Sequence, residues 1–247
     1  MKKEVAEKTK KNKKLARTIF PIAFLVGWVF VSVVASQYIV GLAMIGILGR
    51  ESFSSPAVVS VYSFIYYLIS LILIIFVPLA FVKKWRTNRE ELGLMELPTW
   101  TDIGLAPVGF IVATLLAVGL TSFFSIFPWF NASEVQETGF SIYMSGQERI
   151  FAFLSLVVLA PIVEEIIFRG FLYGKLRAKL SMPLSILITS LLFAILHFQW
   201  NVGVNVFALS VVLCVLREIT GTVYAGILTH MVKNGVAFYL LYVLHMI

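Results

Sequence analysis

Long apolar segments, separated by short polar connections, account for most of the chain. About 20 apolar residues are enough to cross a bilayer, and only helices or closed barrels satisfy the backbone there. The pattern therefore predicts an all-α, polytopic membrane helix bundle with seven transmembrane helices. The predicted spans lie near residues 18–40, 57–82, 102–127, 152–174, 183–203, 204–217 and 222–246. Because the first apolar region continues to Gly49, eight helices is the alternative.

The composition agrees with this pattern. Of the 247 residues, 60% are hydrophobic and 13% are charged. Ordinary soluble domains have about 45–50% and about 25%, respectively. Little sequence remains outside the apolar segments, so we predict one integral membrane domain at residues 18–247, preceded by a basic tail at residues 1–17.

Basic residues are concentrated in that tail, which holds eight of the twenty Lys and Arg residues. A nucleic-acid-binding arm has a similar composition. The tail, however, runs directly into an apolar segment, which favours a cytoplasmic anchor on anionic lipid. That apolar segment is also longer than the roughly 7–15 residues of a signal-peptide core. The expected partner is therefore the lipid bilayer and not nucleic acid.

Eight of the remaining twelve basic residues occur in alternate connections. The second, fourth and sixth connections hold Lys83, Lys84, Arg86, Arg89, Lys175, Arg177, Lys179 and Arg217. The intervening connections hold two basic and four acidic residues, Arg50, Arg149, Glu51, Glu134, Glu137 and Glu148. Because Lys and Arg are enriched in cytoplasmic loops, we expect a cell-membrane protein with a cytoplasmic N-terminus and an external C-terminus. The small size and the lysine-rich tail favour a bacterial source.

Three charged residues interrupt the fourth apolar segment. Glu165 and Arg169 are four positions apart, so they share a helical face and are expected to form an ion pair. Glu164 points about 100° away from that pair and remains as the free acid. A charge in a membrane segment is costly to insert and by default indicates a functional site. We therefore interpret Glu164 as a general base and the Glu165–Arg169 pair as structural support.

Two later segments supply further polar side chains. Phe193 and His197 are four positions apart, as are His230 and Asn234. Glu164 and the two histidines each lie within about four residues of the centre of a predicted span, which corresponds to about 6 Å along a helix. Side chains from three helices are thus expected at one depth. Lys233 neighbours the His230 face, where it can either line the site or simply snorkel inward, and it is left outside the predicted site.

Two chemistries fit these side chains. In the first, Glu164 and His197 polarise a water molecule, while His230 and Asn234 donate hydrogen bonds to an oxyanion during hydrolysis of an acyl or peptide bond. In the second, Glu164, His197 and His230 bind a metal ion, most simply Zn²⁺, with a fourth position open for water. The residues alone leave both alternatives open, so the expected cofactor is none or zinc.

Other catalytic classes are excluded by missing residues. Cys214 is the only cysteine and Asp102 the only aspartate, so neither a thiolate metal cage nor an aspartyl dyad can form. The sequence contains no His-Glu-x-x-His motif and no Gly-x-Ser-Gly motif.

The motifs around these residues resemble the CAAX protease and bacteriocin-processing family, also called Abi. The resemblance rests on Glu164-Glu165-x-x-x-Arg169, Phe193-x-x-x-His197 and His230-x-x-x-Asn234, in that order. The segments Arg89–Leu94 and Leu216–Val223 also look like that family's connections, and the resemblance covers roughly residues 83–240.

This resemblance implies an intramembrane endopeptidase, of glutamate type or metal-dependent, acting on a peptide or membrane-protein substrate. It assigns water activation to Glu164 and His197, and oxyanion binding to His230 and Asn234. Family members process CAAX proteins or are linked to peptide maturation and bacteriocin immunity. The alternative function is therefore a non-catalytic membrane scaffold or immunity protein. A proton-relay transporter is a third and weaker interpretation.

Overall fold

The computed structural model describes residues 2–134 and 136–246, and their side chains except those of residues 2–18 and Lys84. The side chains of the predicted basic tail at residues 1–17 therefore lie outside the described part of the chain.

Seven main helices make up the described residues, which contain no strand. They are α1 (Lys2–Leu48), α2 (Pro56–Phe81), α3 (Trp100–Phe124), α4 (Gly146–Arg177), α5 (Met182–Ile195), α6 (Trp200–Thr220) and α7 (Tyr224–Phe238), which continues as a π-helical segment at Tyr239–Val243. Two short 3₁₀ segments, Arg50–Ser54 and Lys83–Trp85, lie in the connections. Of the described helices, α1 from Ile19 onward, α2, α3, α4 and α6 are long and apolar enough to cross a bilayer. The predicted polytopic helix bundle is confirmed, and the protein is a multi-pass membrane protein.

The boundary between the fifth and sixth helices differs from the prediction. Instead of spans at 183–203 and 204–217, α5 ends at Ile195 and α6 begins at Trp200. No glycine or proline lies at this boundary, so the sequence carries no local stop signal. The turn is stabilised by contacts from the connection between α3 and α4. Asn201 donates a hydrogen bond to the Glu134 carbonyl, and the Gln199 side chain accepts one from the Glu137 amide.

Helix α4 lies at the centre of the bundle. Its residues 167–173 are all buried, and they pack in a hydrophobic core with side chains of α1, α2 and α5. Helix α3 packs against α6 and α7, α5 packs against α6, and α7 also contacts α4. Most of the outward-facing side chains of α3 are large and apolar, as expected for a helix in contact with lipid.

The two ends of the bundle have different charges. The connections 82–99, 178–181 and 221–223 meet at one end, which we call the basic end. There Lys175 Nζ lies 2.7 Å from Glu91 Oε2 and Arg177 Nε lies 2.9 Å from Glu218 Oε1. The connections 49–55 and 125–145 and the turn 196–199 belong to the other end, which we call the acidic end. The basic connections, which alternate along the chain, therefore lie together at one end of the bundle.

Two segments that carry the family resemblance contact each other at the basic end. Arg217 donates a hydrogen bond to the Glu91 carbonyl over 3.0 Å, and the Val223 amide donates to the Gly93 carbonyl. Gly93 has a φ of +73°, and a Cβ there would lie 2.8 Å from Cζ of Arg217. Glycine is therefore favoured at this position by its left-handed backbone conformation.

Candidate active site

The two adjacent acids lie in a short α-helical turn of α4, Ala160–Glu165, between two π-helical segments. The helix is widened at Leu154–Leu159 before the acids and at Ile166–Tyr173 after them. π-Helical insertions are rare and are frequent at functional sites. The acids are therefore presented from an irregular part of an otherwise buried helix.

Glu165 is fully buried and forms a network with charged and aromatic side chains. Arg169 Nη1 donates to Glu165 Oε1 over 2.8 Å, so the predicted pair is confirmed. The Arg169 guanidinium also lies over the Phe193 ring, with Cζ 4.6 Å from the ring centroid. His230 Nδ1 lies 3.1 Å from the same Glu165 oxygen. Since a carboxylate only accepts hydrogen bonds, the imidazole Nδ1 carries the proton of this contact.

Close packing on α7 allows this network to form. Gly226 faces Glu165, and a Cβ at Gly226 would lie 2.9 Å from Glu165 Oε2. Such a distance is well inside van der Waals contact, so a glycine here lets the α7 backbone approach the buried acid.

Glu164 faces a different environment. Its side chain is 18% exposed, whereas that of Glu165 is 0% exposed. Tyr67 of α2 donates a hydrogen bond to Glu164 Oε1 over 2.7 Å. His230 Nε2 lies 3.9 Å from Glu164 Oε2. The imidazole of His230 thus lies between the two acids, with one nitrogen directed at each.

A cavity of about 500 Å³ opens beside Glu164. All four predicted catalytic residues line it, namely Glu164, His197, His230 and Asn234. Phe193, predicted to support the site, also lines the cavity, and its ring centroid lies 5.0 Å from that of His197 and 6.0 Å from that of His230. The structure therefore brings together side chains from α4, α5, α7 and the turn after α5.

His197 reaches the cavity in a way that the sequence does not predict. It lies two residues beyond the end of α5, not near the centre of a longer helix. Its Nδ1 lies 2.8 Å from the Phe193 carbonyl, which leaves Nε2 available to the cavity. The next residue, Phe198, has a φ of +54°, a conformation that costs a non-glycine residue of order 1–3 kcal/mol. The turn therefore holds His197 at the cavity wall with strained backbone.

Asn234 is oriented by the irregular part of α4. Its Nδ2 donates to the Leu156 carbonyl over 2.8 Å, within the π-helical segment Leu154–Leu159. The amide has two N–H groups, so the second remains available to a group in the cavity.

The predicted metal ligands Glu164, His197 and His230 are not grouped as metal ligands in the structure. Among the described residues, no group of three or more His, Cys, Asp or Glu side chains is placed to hold a metal ion. His230 is directed at Glu165 through Nδ1, and Glu164 accepts a hydrogen bond from Tyr67. Metal dependence itself stays a prediction.

Tyr67 and Lys233 are among the cavity residues outside the predicted site. Tyr67 lies in the N-terminal third, which carries no family motif, and Lys233 lines the cavity beside the His230 face. The tyrosine pair Tyr66-Tyr67 within an apolar helix is the only sequence signal for the first. For Lys233 the signal is its neighbour Asn234, which projects from the adjacent position of α7.

Comparison with known proteins gives one result. Residues 146–236 match the Rce1-like family model, described as type II CAAX prenyl endopeptidase Rce1-like. The matched segment begins at the start of α4 and contains Glu164, His197, His230 and Asn234. The resemblance to the CAAX protease and bacteriocin-processing family is thereby confirmed, and it supports a peptidase in general. The chain matches no curated protein and no solved structure.

Proposed function

We propose that this protein is an intramembrane endopeptidase of glutamate type, which hydrolyses a peptide bond of a membrane-associated or peptide substrate. The observation that carries this proposal is the convergence of Glu164, His197, His230 and Asn234 on one cavity of about 500 Å³. The cavity is large enough for an extended peptide segment of a few residues and for water.

Glu164 acts as the general base. It accepts a proton from a water molecule that lies between its carboxylate and His197, and the resulting hydroxide attacks the substrate carbonyl. When the tetrahedral intermediate collapses, the peptide C–N bond breaks and Glu164 gives the proton to the leaving amine. The hydrogen bond from Tyr67 fixes one Glu164 oxygen, so the other is directed to the cavity and to His230. Proton transfer by a positioned side chain contributes about 10²–10⁴-fold to the rate.

His230 and Asn234 bind the oxyanion of the tetrahedral intermediate. The second N–H of Asn234 is a donor whose direction is set by Leu156. Since Nδ1 faces Glu165, Nε2 is the His230 atom that faces the cavity and Glu164, and in the doubly protonated ring it donates to the oxyanion. Donors that are oriented before the reaction stabilise developing charge without reorganisation, and one such donor is worth about 10²–10³-fold.

The experiment is a cleavage assay with the purified protein in lipid vesicles. A pool of synthetic peptides is incubated in ¹⁸O-labelled water, and mass spectrometry detects new C-termini that carry the label. We expect Glu164→Gln to lower the rate of cleavage at least about 100-fold. Glu51→Gln is the control, because Glu51 is an exposed acid in the connection between α1 and α2, remote from α4.

Equal cleavage by the wild type and Glu164→Gln would reject this mechanism and favour the scaffold or immunity function. A chelator provides a second arm. We expect cleavage to continue in its presence, whereas loss of cleavage with recovery on adding Zn²⁺ would support the metal-dependent alternative.

The proposal also includes the cell membrane as the location and a cytoplasmic N-terminus. The separation of the basic end from the acidic end supports this orientation, because cytoplasmic connections carry the excess of Lys and Arg.

A further inference from the structure

The cavity is not symmetric along the membrane normal. Toward the acidic end its wall includes Phe53, Gln199 and the exposed connection residues 136, 137 and 139. The residues Glu164 and His230, deep in the bundle, line the same cavity. One continuous space therefore joins the candidate site to the acidic end.

Toward the basic end the cavity is closed by packed side chains. Ile167 and Phe168 form the last part of the cavity wall on α4. Beyond them Phe171, Leu172 and Leu176 are all fully buried, with 0% exposure. These apolar side chains pack between the cavity and the basic end.

Backbone contacts tighten this closure. A Cβ on Gly170 would lie 3.0 Å from the Leu92 carbonyl, so the connection between α2 and α3 packs directly on α4. None of the described residues of the connections 82–99, 178–181 and 221–223 lines the cavity. The cavity with the candidate site is therefore closed toward the basic end and open toward the acidic end. A separate pocket at the basic end, which includes Gly170 and Tyr173 in its wall, shares no lining residue with this cavity.

We infer that substrates enter the candidate site from the acidic end, which is the extracytoplasmic face of the membrane. That the site takes a substrate rests on the proposed function. That the acidic end faces the outside rests on the excess of Lys and Arg at the basic end. The substrate class is then a peptide, or a segment of a membrane protein, that is exposed outside the cytoplasm. A polypeptide tail confined to the cytoplasm meets the end toward which the cavity is closed.

Cysteine labelling tests the orientation without any need for catalysis. Cys214 is the only native cysteine and is buried, so Cys214→Ala gives a background free of thiols. Gln136→Cys places a thiol at the mouth of the cavity, and Lys179→Cys places one at the basic end. Both native side chains are exposed. We expect a membrane-impermeant maleimide to label Gln136→Cys in intact cells, and Lys179→Cys only after permeabilisation. The reverse pattern would overturn the inference.

A second pair tests whether water reaches the site from that face. Ser63 lines the cavity one turn of α2 before Tyr67, and the adjacent Phe64 is 56% exposed on the outside of the bundle. We expect a small charged methanethiosulfonate, added outside intact cells, to modify Ser63→Cys at least about tenfold faster than Phe64→Cys, since only the thiolate reacts and lipid disfavours it. Equal, slow modification of the two would overturn the inference.

These outcomes are separate from those of the cleavage assay. If labelling follows the expected pattern and no peptide is cleaved, the proposed function fails while the open side of the cavity stands. If peptides are cleaved but Ser63→Cys reacts only with reagent admitted to the cytoplasm, the peptidase stands and the direction of access is wrong.

Discussion

Glu164 and Glu165 are the same residue type at adjacent positions of α4, but they lie on two faces of the helix with opposite surroundings. On one face Glu165 is fully buried among Arg169, His230 and Phe193. On the other face Glu164 borders an open cavity, and only Tyr67 donates a hydrogen bond to it within the described residues. Adjacent residues of one helix therefore support different roles.

The difference follows from the cost of an ionised group away from water. A fully buried carboxylate needs a compensating charge and hydrogen bonds, and Glu165 has both. Such a side chain is held by its partners, and Glu165 does not line the cavity. Glu164 keeps contact with a polar cavity, so its carboxylate is positioned yet accessible. The face of α4 with Glu165, which we call the dry face, supports the fold and orients His230. The face with Glu164, which we call the open face, carries the proposed chemistry.

The largest expected effect comes from removing the buried acid. Glu165→Leu leaves the Arg169 charge unpaired, so it should lower the free energy of unfolding by about 3–5 kcal/mol. The measurement is denaturant unfolding in mixed micelles. The double variant Glu165→Leu with Arg169→Met should regain most of the loss, because no charge then remains buried without a partner. Glu164→Leu, on the open face, should cost less, about 1–3 kcal/mol, because only the Tyr67 hydroxyl loses its hydrogen-bond acceptor and no charge is left unpaired. Equal losses for Glu164→Leu and Glu165→Leu would contradict the comparison.

A smaller effect is expected from crowding the dry face. Gly226→Ala puts a methyl group 2.9 Å from Glu165 Oε2, and overpacking of this kind costs about 1–3 kcal/mol. Gly235→Ala is the matched control on the same helix, since its Cβ would meet Val157 at an ordinary 3.6 Å. The same unfolding assay should find Gly235→Ala neutral or slightly stabilising, because alanine is the better helix former. If Gly226→Ala is also neutral, the close approach of α7 to Glu165 is not required.

The role of the open face is tested by removing one hydroxyl group. Tyr67→Phe deletes the hydrogen bond to Glu164, and a hydrogen bond to a charged group is worth about 1.5–3 kcal/mol. We expect kcat/KM for peptide cleavage to fall about tenfold or more, with a changed pH profile and an unchanged fold. The matched control is Tyr62→Phe, which removes a cavity hydroxyl that donates to the Gln37 carbonyl and not to Glu164. A pH profile identical to that of the wild type would show that Tyr67 does not position the base.

The smallest effect is expected at the basic end, away from both faces. The hydrogen bond from Lys175 holds the pKa of Glu91 below its usual value, although partial burial opposes the shift. A lowered pKa in the folded state contributes stability above the pKa of the unfolded state, and this contribution is lost as the pH falls through the folded-state pKa. Because the Glu91 side chain is 52% exposed, Glu91→Gln should cost less than about 0.5 kcal/mol at neutral pH and nothing in acid. A loss as large as that of Glu165→Leu would contradict the ranking.

Much of the fold could be predicted from the sequence, because each helix is specified by its own residues. An apolar segment in lipid must satisfy its backbone internally, and this requirement fixes the element type without reference to its neighbours. The pairing of Glu165 with Arg169 and the separate direction of Glu164 follow from the same local geometry. Each of the seven predicted spans corresponds to a helix in the structure for this reason.

The turn between α5 and α6 could not be predicted in this way. Residues 194–200 carry no glycine or proline, and the helix ends there because Gln199 and Asn201 bind the backbone of the connection between α3 and α4. The change moves His197 from the middle of a helix to a strained turn. Contacts between residues more than sixty positions apart decided this boundary.

The sequence by itself determined that the chain is a helical membrane bundle, that one acid of the pair is tied to an arginine, and that the other is left free. Only the tertiary structure decided that Tyr67 reaches Glu164, that His230 lies between the two acids, and that the cavity is open at one end and packed at the other. The physical reason is that hydrophobicity and helical period act within a segment. Contacts between helices depend on how whole surfaces pack, and no single segment encodes them.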